Sequence, residues 1–190
     1  CNPIDDIRVE TVGPPFKGNE VKIASDGEIL VKGENVMLGY WNNEEETNKV
    51  LKDGWLHTGD IGIFENGYLK ITDRKKDILI TPGGDNISPV KIENELSNSK
   101  FIDQSIVYGD NKPYLVALLV LSEENLNISH EQIEKEINKV NQNLAKIEQI
   151  KKFFTINEKF SIENGMLTPT LKPKRYKIVT KYKNQFEKLY

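Results

Sequence analysis

The chain has 190 residues, 37% hydrophobic and 29% charged, with a formal net charge of −3. Its one cysteine, at position 1, excludes an internal disulfide or a cysteine-built zinc site, and two histidines argue against a His-rich metal centre. No apolar run approaches the roughly 18 residues that span a bilayer, and the near absence of cysteine suits a reducing, cytoplasmic compartment. The first residue is Cys rather than Met, so a piece of a longer protein is expected.

Taken in chain order, the first 75 residues alternate short β-like runs with Gly and Asn turns. Glu20 to Ala24 and Glu28 to Lys32 read as strands around the turn Ser25-Asp26-Gly27. Asn42 and Asn43 can cap a short helix through Leu51, with Gly54 beyond it. Ile61 to Phe64 and Tyr68 to Ile71 flank Glu65-Asn66-Gly67, and Asn-Gly between such runs is a strong hairpin signal.

The rest mixes helices and strands. Ser88-Pro89 opens a helix over 90–97. Ser105 to Tyr108 and Tyr114 to Leu121 read as strands, the second nearly all apolar and hence central. Ser129 and Gln132 form a capping box, and Ile133, Ile137, Val140, Leu144 and Ile147 behind it mark one helix stripe. Five such positions are too few for a coiled-coil seam, so packing on a sheet is expected. Phe153 to Ile156 is a further strand, and Pro173 precedes a basic last helix. The fold class is α+β: a small antiparallel β unit, then an α+β domain.

Four stretches bear on chemistry. In Gly54-Trp55-Leu56-His57-Thr58-Gly59-Asp60, the Asp60 carboxylate suits a vicinal diol such as a ribose, or equally a turn cap. In Asp73-Arg74-Lys75-Lys76-Asp77, Arg74 offers a planar fork for phosphate or hydroxyl oxygens, and the cluster suits either a hinge or a solvated charge run. Gly83-Gly84, before the helix opened by Ser88-Pro89, permits close approach of a ligand or makes a plain strand-to-helix turn. No P-loop pattern occurs. In Leu167-Thr168-Pro169-Thr170-Leu171-Lys172, a lysine placed just before a helix can stabilise an anionic transition state. From Lys172 to Tyr190 six Lys and one Arg face only Glu187, but the chain as a whole is acidic and lacks basic–aromatic alternation, so no nucleic-acid partner is expected.

These stretches, with Val12-Gly13-Pro14-Pro15, Gly27 to Gly33 and Val36 to Trp41, stand in the order found in the AMP-forming acyl-CoA synthetases. The sequence resembles that family, and more closely its long-chain fatty-acid–CoA ligase branch, through the Asp-Arg-Lys-Lys-Asp and Leu-Thr-Pro-Thr-Leu-Lys forms. The resemblance implies a two-step reaction: ATP activates a carboxylic acid to an acyl-adenylate, then CoA thiol takes the acyl group and AMP leaves. It implies ATP, Mg2+ and CoA as cofactors or substrates, a fatty acid as the other substrate, and an upstream large domain as partner. It further implies that Lys172 is catalytic in adenylation, that Asp60 and Arg74 bind the nucleotide, that Lys76 is the hinge, and that Gly83 and Gly84 line the path of CoA.

Asp85 departs from the pattern, standing where many relatives carry a cation. The family's phosphate loop and its Tyr-Gly-x-Thr-Glu motif, which helps hold magnesium, do not occur in the chain, and no metal ligand is assigned. The expected organisation is therefore the end of a large domain over 1–73, a hinge at 74–77, and a mobile lid domain over 78–190. The parent is expected to be a ligase, cytoplasmic or peripheral to a membrane, and this piece alone inactive. Rival readings are an adenylation domain for another acid or for a carrier protein, a luciferase-type oxidative ligase, and a non-enzymatic partner-binding module.

Overall fold

A computed structural model describes residues 1–125 and 128–190. The chain divides into two compact units, Cys1–Lys76 and Asp77–Tyr190.

The first unit is one antiparallel sheet. Strands β1 (Asn19–Ile23) and β2 (Glu28–Gly33) pair across the turn at Asp26-Gly27. Helix α1 (Glu44–Val50) follows, capped by the Asn43 side chain, which accepts from the Glu46 amide at 3.1 Å. The short β3 (Leu51–Lys52) leads into β4 (Trp55–Glu65), and β5 (Tyr68–Arg74) returns beside it. At eleven residues, β4 pairs β2 along one edge and both β3 and β5 along the other. The expected Asn-Gly hairpin joins β4 to β5, with Asn66 at φ 49° and Gly67 at φ 83°.

The second unit opens with a two-strand hairpin, β6 (Leu79–Ile80) and β7 (Asn86–Ile87), followed by helix α2 (Pro89–Ser97) with Ser88 as its cap. Strands β8 (Ile102–Tyr108) and β9 (Leu115–Leu121) pair antiparallel, and β10 (Ile150–Ile156) joins β9 in parallel on its other edge. Between β9 and β10 runs helix α3 (His130–Gln142), whose Ser129–Gln132 capping box forms as expected. Two short helices, α4 (Arg175–Lys181) and α5 (Lys183–Glu187), end the chain in place of one.

All seven residues of β9 are buried, and they serve two cores. Leu115, Ala117, Leu119 and Leu121 face Ile92 and Leu96 of α2, Ile133, Ile137 and Val140 of α3, and Leu79 and Ile87 of the hairpin. Val116, Leu118 and Val120 face Phe160, Met166, Leu167, Ile178, Tyr182 and Phe186. Alternation of side chains across a strand explains the division, and burial on both faces explains the unbroken apolar run.

The helix stripe ends early. Helix α3 stops at Gln142, Leu144 is buried just past its end, and Ile147 is half exposed in a 3-10 turn. The Asn141 side chain accepts from the Ile150 amide and donates to the Ile150 carbonyl, both at 2.9 Å, fastening the start of β10 where another helical turn would run. Among the described residues no helix is long and apolar enough to cross a membrane.

Leu118 is fully buried in the second core. Leu118→Ala should cost about 2–5 kcal/mol, measured as a lower urea midpoint for the second unit. A loss under about 0.5 kcal/mol would mean that this face of β9 is not closed.

Candidate active-site residues and family membership

Asp60 and Arg74 are directly opposed on β4 and β5 and form an ion pair, Nε to Oδ1, at 2.9 Å. The guanidinium is largely exposed and the carboxylate about one-quarter exposed. A register shift between Ile61 and Gly62 bends the ladder beside the pair. Such bulges commonly re-aim side chains at functional sites. The acid and the fork therefore form one polar patch.

Beneath this pair lies a network that sequence reading did not reveal. Glu28 is buried at the start of β2. Its Oε2 accepts from Lys75 Nζ at 2.9 Å and lies 3.0 Å from His57 Nδ1, while Oε1 accepts from the Gly59 amide at 2.9 Å. Lys75 Nζ also donates to Asp26 Oδ2 at 2.6 Å, and its backbone amide donates to the Gly59 carbonyl at 2.8 Å. Glu28 thus ties both motif stretches together around Asp60 and Arg74. The available signal was an acidic residue heading the apolar run Ile29-Leu30-Val31. Lys76 is exposed and ends the first unit.

Burial acts to raise the Glu28 carboxyl, but hydrogen bonds from Lys75, His57 and Gly59 outweigh it and hold the group below its ordinary 4.5. Asp26 is likewise lowered, chiefly by Lys75, and the Lys75 ammonium is raised in turn, chiefly by Asp26.

In the second unit, Gly83 and Gly84 form the tip between β6 and β7. Gly84 has φ 88°, and a side chain built there meets nothing within 4 Å, so backbone conformation rather than crowding calls for glycine. The loop is closed from within: Thr81 Oγ1 lies 3.1 Å from Asp85 Oδ2 and accepts from the Asp85 amide at 3.0 Å. Asp85 therefore has a structural use in closing the turn. Beside the tip is a groove of about 560 Å3 lined by Gly83, Ile87, Tyr114, Lys112, Lys146 and Lys151, among others. These lysines were not singled out in the sequence, because they come from three separated stretches.

Lys172 is exposed at the end of a tight loop. The Thr168 amide donates to the Lys172 carbonyl at 2.8 Å, and the Lys172 amide to Thr168 Oγ1 at 3.0 Å. Its ammonium makes no ion pair among the described residues. The loop is rooted by Met166 and Leu167 in the core on one face of the sheet, whereas the Gly83–Gly84 hairpin is rooted by Leu79 and Ile87 in the core on the other. Asp60 and Arg74 come together; Lys172 and the glycines are held apart on one unit. Among the described residues no group of three or more His, Cys, Asp or Glu could hold a metal ion.

Residues 76–190 match the family described as the AMP-binding enzyme C-terminal domain. The chain belongs to that family. Among curated relatives of this AMP-binding enzyme segment, long-chain-fatty-acid–CoA ligase FadD15 of Mycobacterium tuberculosis is 35% identical over 98% of the chain and 35% of its own length. Long-chain-fatty-acid–CoA ligase 5 of Rattus norvegicus is 40% identical over 94% of the chain and 31% of its own length. The chain thus spans about a third of the curated relatives it matches. O-succinylbenzoate coenzyme A synthetase from Bacillus subtilis, solved with AMP, superposes with a TM-score of 0.71 at 30% identity, over 89% of the chain and 35% of that protein. The adenylation domain of a Mycobacterium chelonae carboxylate reductase superposes at 0.83 and 25% identity, over 93% of the chain and 31% of that domain.

The lowered carboxyl sets the direction of a pH effect. Because the folded Glu28 titrates below its unfolded counterpart, its stabilisation is complete above about pH 4.5 and is lost as pH falls through the lower folded value. Glu28→Gln should cost the first unit about 3–5 kcal/mol at neutral pH and flatten its acid denaturation curve, as followed by circular dichroism. An unchanged acid midpoint would remove Glu28 from the network.

Proposed function

We propose that this chain is part of a ligase that activates a long-chain fatty acid with ATP and passes the acyl group to CoA, releasing AMP and pyrophosphate. The observation that carries the reading is the placing of two loops, Gly83–Gly84 and Thr168–Lys172, on opposite faces of one three-stranded sheet. A reaction in two steps needs two sets of groups, and a unit that turns over can present them in sequence. Relatives named as long-chain-fatty-acid–CoA ligases support the long-chain acid over other acids.

In this reading the Asp60 carboxylate accepts from ribose hydroxyls, and Arg74 beside it donates to the ribose and phosphate oxygens. Lys172 brings a positive point charge to the fatty-acid carboxylate and the α-phosphate as negative charge builds between them. Lys76 carries the turn between the two arrangements. In the second arrangement Gly83 and Gly84 leave the backbone bare for the pantetheine arm of CoA, and Lys146 and Lys151 face its phosphates, Lys112 of the same groove being paired with Glu187 at 2.7 Å. Lys146 and Lys151 supply the charge that Asp85 does not. A magnesium ion, where ATP brings one, is held by groups outside this chain. A long-chain acid partitions into membranes, so in this reading the substrate reaches the enzyme from a membrane surface.

The test is AMP release by a protein joining this chain to the upstream two-thirds its relatives possess, supplied with ATP, magnesium, CoA and acids from acetate to long-chain fatty acids. AMP that depends on CoA and a long-chain acid is expected; preference for a short or aromatic acid would discard the long-chain assignment, and no AMP with any acid would discard the ligase. In the same protein, Lys172→Ala should slow acyl-adenylate formation by about 10²–10³-fold while leaving thioester formation from supplied acyl-adenylate near wild type. Equal loss in both half-reactions would reject the role of Lys172.

A further inference from the structure

Among the described residues the Lys172 ammonium makes no ion pair, yet its loop is tied to the sheet through a ring of partly buried polar groups. Glu93, in the middle of α2, has both carboxylate oxygens within 2.7 Å of Arg175 Nη2 at the start of α4. The Val107 amide on β8 donates to Glu93 Oε1 at 2.7 Å, and Arg175 Nη1 donates to the Val107 carbonyl at 2.9 Å. The two charged side chains are only 15% and 14% exposed. The ring joins residues 82 apart in sequence and occupies both backbone groups of Val107.

Arg175 lies three residues after Lys172. Between them, Pro173 bridges Leu167 and the Lys174 amide donates to the Met166 carbonyl at 2.8 Å. Leu171, immediately before the lysine, has φ 62°, a left-handed conformation that a leucine rarely adopts. Such a residue persists only where the surrounding structure over-determines it. The loop's own hydrogen bonds close it, and the Arg175 side and the buried Met166–Leu167 side root it in the second unit.

We propose that the ring of Glu93, Arg175 and Val107 is a positioning device for Lys172, holding the base of its loop so that the ammonium meets the charge that develops during acyl-adenylate formation. The inference rests on the role given to Lys172 above. A lysine is a compact charge on a flexible four-carbon stem, so its aim depends on the backbone that carries it. Catalysis by a fixed charge requires that the charge be in place before reaction. Neither Glu93 nor Arg175 touches the reacting atoms; both act through Lys172.

The test uses two conservative variants, Glu93→Gln and Arg175→Lys, which keep bulk but break the charged fork. In the 190-residue chain, hydrogen exchange should quicken in residues 166–174 and stay near wild type in β9. Uniform quickening throughout the second unit would mean a purely structural role and overturn the proposal, as would no change in either segment. In the longer protein, the rate constant of acyl-adenylate formation should fall about 10–100-fold, with the KM values for ATP and acid nearly unchanged and thioester formation from supplied acyl-adenylate intact. Equal loss in the two half-reactions would overturn the proposal. A wild-type protein that makes no acyl-adenylate with any acid would remove the reading of Lys172, and with it this inference, whereas the exchange pattern separately decides whether the ring anchors the loop.

Discussion

The second unit depends on a single strand being buried on both sides. Each residue of β9 loses contact with water, so the strand can exist only while α2 and α3 cover one face and the segment from Phe160 to Phe186 covers the other. Removing either layer would expose a row of Leu, Val and Ala side chains, at roughly 25 cal/mol for each Å2 uncovered. Sandwiching of this kind fixes more than stability. It gives the unit two distinct faces, each with its own loop, on a sheet too well packed to deform continuously.

The first unit is organised differently. It buries few apolar side chains, Ile29, Leu30 and Tyr68 among them, next to the acids Glu28 and Asp73. Order around Asp60 and Arg74 comes instead from polar groups with named partners. A buried carboxylate is costly unless paired and hydrogen-bonded, and Glu28 meets that condition with an ammonium, an imidazole and a backbone amide. The penalty is offset by specificity of position: the strand turn, the Gly59 backbone and Lys75 are held to one carboxylate. Arg74, by contrast, is largely exposed, and Asp60 beside it is about one-quarter exposed.

Glu93 repeats the arrangement in the second unit. Again one partly buried carboxylate holds a cation and a backbone amide. Lys172, with no ion pair among the described residues, remains available to a ligand. Charge is thus divided between partly or fully buried pairs that shape the backbone and groups nearer the surface, the Asp60–Arg74 pair and the Lys172 ammonium among them.

Much of the fold was legible in short stretches of sequence. Asn66-Gly67, Asn43, Ser88-Pro89 and the Ser129–Gln132 box act within four residues of themselves, and turn geometry and capping are local chemistry. The motif residues Asp60, Arg74, Gly83, Gly84 and Lys172 could also be picked out, but through the family resemblance of the stretches that hold them, since each pattern by itself also reads as scaffold. Only the tertiary structure decided that Asp60 faces Arg74 across two strands, that Glu28 finds Lys75, and that Glu93 finds Arg175. It also decided that β10 lies parallel to β9 and that the Asn141 side chain in α3 fastens the start of β10. The physical reason is range: dihedral preferences act between neighbours, whereas an ion pair across 47 or 82 residues forms only after burial has brought distant segments together and excluded the water that would otherwise screen them.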